Sequence, residues 1–149
     1  MSHPDCPLCC ASPVPVLWQN SALRVIDAAD PDYPGLTRVI WNQHVREMTQ
    51  LDMAARRHFM DVVWIVEQTL RTELAPDKIN LAQLGNQVPH LHWHVIPRWT
   101  LDTHYPEAIW AAAPGRTAGQ QEAWAALKAQ KTACISACHL ALRRALEAM

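Results

Sequence analysis

Three histidines alternate with apolar residues over positions 90–94, and imidazoles at this spacing can bind a metal or attack an electrophile. On a β-strand, a period of two places His90, His92 and His94 on one face and the apolar residues between them on the other. The first and third would lie about 13 Å apart at roughly 3.3 Å per residue, which is too far for one metal ion to bind all three. We therefore expect the three histidines to have different roles. Pro97 has no N–H to donate and is expected to end the strand.

A second candidate for chemistry is the Cys-x-x-Cys pair formed by Cys6 and Cys9. Two thiolates on one tight turn can share a tetrahedral zinc ion, although a redox pair or two unrelated cysteines are alternatives. The surrounding prolines favour a metal-binding turn over the helix start that a redox motif requires. Such a site needs two further ligands. Cys10 is not expected to be one, and Cys134 and Cys138 are interpreted as core thiols of a C-terminal helix.

The elements that must position these residues are predicted from period and turn signals. Five strands are expected: Val14–Trp18, Leu23–Asp27, Leu36–Trp41, Lys78–Leu84 and 90–97. A long helix is expected to begin near Thr49 as N-cap, with Asp52 at N3, and to stop at Pro76. A loop over 100–119 and a second helix over 120–148 complete the chain.

These elements predict an α+β fold, an antiparallel sheet of about five strands with a long helix on one face and a C-terminal helix. At 149 residues the chain is predicted to be a single domain over 1–149, with its core in 5–100 and a loop and helix in 101–149.

Composition excludes several classes of protein. The formal net charge of −1 indicates no partnership with a nucleic acid polymer, and no apolar run is long enough to span a membrane. The first residues lack the features of a signal peptide, and an odd number of cysteines, five, fits reduced thiols better than disulfides. We expect a cytoplasmic protein without membrane attachment.

The histidine row resembles the His-φ-His-φ-His-φ-φ signature of the histidine triad superfamily of nucleotide hydrolases and transferases, where φ is apolar. Asn80 and Gly85 are similar to the asparagine and glycine that precede that signature, and the order of strands and helix is similar over about residues 5–100. In zinc-containing members a Cys-x-x-Cys pairs with a histidine after the third strand and with the first triad histidine. The resemblance therefore implies a structural zinc ion and no catalytic metal, with these ligands: Cys6, Cys9, His44 and His90.

The resemblance also implies a mechanism. His92 would attack the α-phosphorus of a nucleotide and form a nucleotidyl-imidazole intermediate, with His94 stabilising the developing charge and Gln87 binding on the leaving-group side. The implied substrate-binding residues are Asp27, Asn80, Gly85, Gln87 and His94. One departure is Leu36, which stands where many members carry a fourth histidine and is expected to widen the phosphate end of the site.

Two functions follow from this resemblance. The first is a nucleotide hydrolase or nucleotidyltransferase that cleaves at the α-phosphate of a dinucleoside polyphosphate or nucleoside phosphoramidate. The alternative is a zinc-stabilised nucleotide-binding sensor or adaptor with little turnover. The resemblance further implies a homodimer, and seven tryptophans in a small chain would suit an apolar interface. A catalytic metal on the histidine row is disfavoured by the strand spacing.

Overall fold

The computed structural model describes residues 5–10 and 13–149. Five strands are present in this part of the chain: β1 Val16–Gln19, β2 Leu23–Asp27, β3 Thr37–Trp41, β4 Lys78–Ala82 and β5 His92–Arg98. The helices are α1 Met53–Leu74, α2 Ala118–Ala133 and α3 Ile135–Glu147, and a short 3₁₀ turn covers Met48–Gln50. None of the described helices combines the length and the apolarity needed to cross a bilayer.

The strands form one antiparallel sheet in the order β1-β2-β3-β5-β4, which confirms the predicted fold class. The long helix α1 packs on one face of this sheet, against β3 and β5, and α3 packs on α1 and β1. The core between these layers contains Val39 and Val95 from the two central strands and Phe59 and Val66 from α1, all fully buried. The opposite face of β3 and β5 is therefore left for the site.

The alternation along β5 agrees with the predicted two-residue period. Val95 lies in the main core, while His92 and His94 point to the other face. The limits of the strand differ from the predicted 90–97: β5 begins at His92 and continues to Arg98. Pro97 is tolerated inside β5 because it lies beyond Val95, the last residue paired with β3, and it faces only β4.

The start of α1 also differs from the prediction. Asp52, and not Thr49, is the N-cap, and its Oδ1 accepts a hydrogen bond of 2.8 Å from the Ala55 amide. Thr49 lies in the preceding 3₁₀ turn. The helix ends at Leu74, where Ala75 takes a left-handed conformation with φ of 46° immediately before Pro76.

The C-terminal region forms two helices where one was predicted. The helix is interrupted at Cys134, whose amide bonds to the carbonyl of Lys131 three residues earlier. Within α2 only Trp124 is buried, and it packs against Trp99 in the main core, to which α3 contributes Cys138 and two leucines. Cys138 is thus a core thiol as predicted, but Cys134 is exposed.

Candidate active site beside a cysteine–histidine cluster

His92 and His94 lie side by side at the start of β5. The Nδ1 of His92 is 2.6 Å from the carbonyl oxygen of His90, so Nδ1 carries the proton and donates it to that carbonyl. This tautomer leaves the Nε2 lone pair of His92 free to accept, and it lies 3.1 Å from Nε2 of His94. The arrangement fixes one imidazole with an unprotonated nitrogen and supplies a neighbouring N–H donor.

The two histidines open onto a cleft of about 370 Å³. Its wall combines the N-terminal turn, β3, the segment after β4, β5 and one tryptophan from the chain beyond β5. The lining residues are Pro7, Leu8, Arg38, Leu84, Gly85, Asn86, Gln87, Val88, His92, His94 and Trp110. Four of the residues predicted for the site are therefore brought together: Gly85, Gln87, His92 and His94.

Burial keeps both imidazoles neutral. It lowers the pKa of His92, and the charge of Arg38 adds to this effect while the hydrogen bond to His90 opposes it. Burial, together with the charges of His92 and Arg38, lowers the pKa of His94 to about 4. A neutral imidazole can act as a nucleophile without a separate base, and the neutral His94 can donate a hydrogen bond through Nε2.

The predicted metal ligands form a compact cluster next to this cleft. One ligand atom from each of Cys6, Cys9, His44 and His90 lies within 4.8 Å of the others. The sulfur-to-Nδ1 distances are 3.4 Å for Cys6–His90, 3.3 Å for Cys9–His44 and 3.5 Å for Cys9–His90. Ligands about 2.0–2.3 Å from one tetrahedral centre lie roughly 3.5 Å apart. Two thiols and two imidazoles at this spacing could hold a metal ion such as zinc.

The surroundings of the cluster orient its ligands. Nε2 of His90 donates to the carbonyl of Trp41 at 2.6 Å, which leaves Nδ1 with the lone pair that a metal requires. Arg24 donates to the carbonyl of Leu8 in the cysteine turn and, at 3.1 Å, to Oδ1 of Asn42. His90 therefore serves both sites, because its ring joins the cluster and its carbonyl holds His92.

Two predicted substrate-binding residues lie away from the cleft. Oδ1 of Asn80 accepts a 2.8 Å hydrogen bond from Arg98, and Asn80 lines a neighbouring depression on β4. Asp27 lies at the end of β2, with Oδ2 at 3.2 Å from Nε2 of His139. Burial opposes ionisation of Asp27, but the nearby His139 and the hydrogen bond from the Ala29 amide together lower its pKa.

The residue that departs from the resemblance does not contact the cleft either. Leu36 is 3% exposed and packs against Tyr33 and Ile96 in a small second core. Leu36 is not among the described residues that line the cleft, and the expectation that it widens the phosphate end of the site stays a prediction.

A buried ion pair orders the segment after β5, which sequence reasoning treated as a plain loop. Asp102 accepts from Arg98 at 2.7 and 3.0 Å, and both side chains are nearly inaccessible to solvent. Asp102 also accepts from the amides of His104 and Tyr105, and Arg98 donates to the carbonyl of Glu107 at 2.8 Å. These contacts hold the segment after β5 against the face of the sheet that carries His92 and His94.

The packing of this segment places Trp110 against the site. Its ring lies edge-on to His94, with centroids 5.0 Å apart, although 51% of its surface remains exposed. No local signal in the sequence predicts this contact, because it depends on the path of the whole segment.

Arg38 is the second functional candidate that the sequence reasoning missed. It pairs across the sheet with His94, and its neighbour Val39 faces the main core, so Arg38 points to the histidine side. Strand alternation could have placed Arg38 on this face, but only with knowledge that β3 pairs with β5 and in which register.

Together, the five-stranded antiparallel sheet, the helix on one face and the histidine pair on the other define a histidine triad class of fold and site. The chain belongs to the HIT domain family, whose profile matches residues 12–101. No match to a curated protein reaches significance.

Solved structures of histidine triad proteins share this fold. One from Bradyrhizobium japonicum has 24% identity and a TM-score of 0.62, with 80% of this chain and 90% of that chain covered. One from Marinobacter aquaeolei has 24% identity and a TM-score of 0.62, with 84% and 90% covered. A Sulfolobus tokodaii structure, described as a hypothetical histidine triad nucleotide-binding protein, has 19% identity and a TM-score of 0.51, with 79% and 83% covered. At these identities the likeness shows the fold alone.

Proposed function

We propose that this protein is a nucleotide hydrolase or nucleotidyltransferase that cleaves at the α-phosphate of a nucleoside phosphate, with His92 as the nucleophile. The observation that carries the proposal is the 2.6 Å distance between Nδ1 of His92 and the His90 carbonyl oxygen, which assigns the proton to Nδ1 and leaves the lone pair on Nε2, in a residue that lines the cleft. This geometry holds a neutral, nucleophilic nitrogen in a fixed orientation. Membership of a family with nucleotide-binding members is consistent with this substrate class.

In the proposed first step, Nε2 of His92 forms a bond to the α-phosphorus. The bond from phosphorus to the leaving group breaks, and the leaving group takes that electron pair. In the protein without ligand, Nε2 of His94 donates a hydrogen bond to Nε2 of His92. A phosphate oxygen that enters the cleft would accept this hydrogen bond instead, and the lone pair of His92 would then be free to attack. Gln87 and the backbone at Gly85 lie on the cleft wall, where they can bind phosphate oxygens. Water then forms a bond to phosphorus and loses a proton to solvent, while the bond between phosphorus and Nε2 breaks and returns its electron pair to the imidazole. The nucleoside monophosphate is released and His92 is regenerated.

We further propose that the Cys6–Cys9–His44–His90 cluster holds a structural zinc ion. The cluster has four protein ligands and no open position for substrate, which suits a closed structural site. Zinc would supply folding energy here, and it would fix His90, whose carbonyl orients His92. Reduced thiols at this site fit the proposed cytoplasmic location.

A homodimer is also proposed, formed through a sheet edge. In the described sheet β1 and β4 are the edge strands, and each offers backbone groups for pairing. Light scattering should give twice the mass of one chain at micromolar concentration, and a monomer under these conditions would contradict the proposal.

The test of the catalytic proposal compares two histidine variants. His92→Ala should lower turnover by at least about 10³-fold, because it removes the attacking atom, while nucleotide binding survives. His58→Ala is the matched control, since His58 lies on α1 and contacts Asn20, away from the cleft. Substrates should include dinucleoside polyphosphates, phosphoramidates and nucleotide sugars. Most activity remaining in His92→Ala would refute the covalent mechanism.

The same experiment separates the enzyme from the sensor or adaptor. Nucleotide binding by the wild-type protein without turnover of any substrate class would favour the binding module. An acid-labile nucleotidyl adduct on His92, trapped from the wild-type protein by alkaline quenching, would favour the enzyme, because a phosphorus–nitrogen bond is stable in base.

A further inference from the structure

Arg38 has no partner for its charge within the described protein. Its Nε is buried, and none of the described residues accepts a hydrogen bond from its guanidinium or forms an ion pair with it. Arg98, which is fully buried, differs in this respect because Asp102 neutralises it at 2.7 Å. A partly buried guanidinium without an anion is unfavourable, so the arrangement points to an anion supplied from outside.

Among the described residues, the cleft wall offers no group that would neutralise this charge. Of the described residues that line it, Arg38 alone carries a formal charge, and none is an aspartate or glutamate. The two imidazoles beside it are neutral, and the charge of Arg38 contributes to keeping them so. The field in the cleft is therefore positive, and it is strongest on the wall formed by β3.

The position of Arg38 relative to the histidines indicates which kind of anion the cleft can bind. Arg38 lies opposite His94 on the neighbouring strand, and Ile40 lies opposite His92, so the guanidinium is one step further along the sheet than the nucleophile. A phosphorus atom bound for attack by His92 would lie near His94, and Arg38 is the charged side chain next to His94 that lines the same cleft. The planar guanidinium can bind two phosphate oxygens at once.

We propose that Arg38 binds the phosphate chain of the ligand and makes the cleft select for ligands that carry two or more phosphates in a row. This inference rests on the proposed function for the position of the first phosphate. It assigns Arg38 to specificity, and it leaves bond cleavage to His92. A chain of phosphates leaves as a stable anion that Arg38 can bind, whereas an amine leaving group needs a proton that a guanidinium does not release.

The test measures binding, and it does not depend on turnover. Affinities of the full-length protein for a nucleoside, its mono-, di- and triphosphate, and inorganic tripolyphosphate are compared by calorimetry in magnesium-free buffer at fixed ionic strength. Arg38→Gln should weaken binding of the diphosphate, triphosphate and tripolyphosphate by about 10- to 100-fold, as expected for a charge-assisted contact. Nucleoside affinity should remain unchanged. The phosphate affinities of Arg38→Lys should lie between those of the wild-type protein and Arg38→Gln, because lysine keeps the charge and loses the planar guanidinium.

Arg57→Gln is the matched control for net charge, because Arg57 is exposed on α1, which packs on the opposite face of the sheet. An equal loss of nucleoside and triphosphate affinity in Arg38→Gln would mean that Arg38 only shapes the cleft. No loss in Arg38→Gln, or no tripolyphosphate binding by the wild-type protein, would overturn the inference. If Arg38→Gln fails to fold, Arg38→Lys is used in its place, and a phosphate-number dependence of binding that is unchanged from the wild-type protein would also overturn the inference. A wild-type protein that binds tripolyphosphate through Arg38 but turns over no nucleotide would refute only the proposed function.

Discussion

The two ends of β5 hold the same histidine strand in place by different chemistry. At the His90 end, four side chains from the N-terminal turn, the segment after β3 and the triad converge within 4.8 Å. At the Arg98 end, one buried ion pair and several backbone hydrogen bonds order the segment that returns Trp110 to His94.

The two ends differ in whether their stability depends on a group from outside the chain. If the thiols and imidazoles of the cluster bind a metal ion as proposed, that end depends on an ion from outside the chain. The ion pair between Arg98 and Asp102 is internal to the chain, and because both side chains are buried its stability depends on their hydrogen bonds to the protein. Each end should therefore fail under a different perturbation.

The largest effect is expected from loss of the metal. Chelation should lower the free energy of unfolding by a large amount, on the order of 10 kcal/mol at most, because the four ligands no longer share a centre. Hydrogen exchange should rise first in β1 and β2, which lie beside the cysteine turn. Metal analysis of protein purified without chelators should give stoichiometric zinc, and its absence would contradict the zinc proposal.

The matched variants for this prediction are two neighbouring cysteines. Cys9→Ser should reproduce most of the loss of stability, since the Cys9 sulfur lies within 3.5 Å of both cluster imidazoles. Cys10→Ser should change stability by less than about 0.5 kcal/mol, because Cys10 is exposed and outside the cluster. Equal effects of the two substitutions would show that the cluster is not a metal site.

The second largest effect is expected from breaking the ion pair at the Arg98 end. Asp102→Asn should lower the free energy of unfolding by about 3–5 kcal/mol, because it leaves Arg98 charged and buried without its anion. Asp32→Asn removes the partner of Lys128 in a solvent-exposed pair with the similar distance of 2.8 Å, and it should cost less than about 1 kcal/mol. Urea unfolding of both variants with zinc present gives the comparison. Similar losses would mean that burial does not decide the strength of these pairs.

The sequence predicted the His90 end well and the Arg98 end poorly, for a physical reason. Metal ligands are restricted to a few residue types, so Cys6, Cys9, His44 and His90 could be selected by type and by resemblance before any distance was known. Arg98 and Asp102 are ordinary charged residues, and nothing local distinguishes them from a surface i,i+4 pair. Their burial follows from where the segment packs.

Periodicity also has limits that particular residues show. The two-residue period correctly separated His92 and His94 from the core side of β5, because it depends only on backbone geometry. It did not identify Arg38, whose position beside His94 depends on the pairing between β3 and β5. It also did not show that the side chain of Asn80 is hydrogen-bonded to Arg98. The helix break at Cys134 was missed as well.

The smallest effect concerns His94, which lies between the two ends. Its folded-state pKa of about 4 is below the ordinary value near ~6.5, so between these values the unfolded chain binds a proton that the folded chain does not. The contribution of His94 to the free energy of unfolding therefore rises with pH over this window and is constant above it. The groups that face His94 are His92, Arg38 and the ring of Trp110, and no acidic residue is among the described residues of the cleft wall.

Removing Trp110 should expose His94 and weaken the desolvation that lowers its pKa. In Trp110→Ala the pKa of His94 should rise by at least about one unit, so that the ring titrates above pH 5 in NMR spectra, whereas the wild-type ring should not. Trp64→Ala is a well-matched control, since Trp64 is 53% exposed on α1 against 51% for Trp110, and it should leave the His94 titration unchanged. The metal must stay bound throughout, so spectra are recorded only over the pH range in which zinc content is constant. A wild-type His94 that titrates near pH 6.5, or a Trp110→Ala variant with no shift, would mean that the Arg98 end does not control the chemistry of the histidine pair.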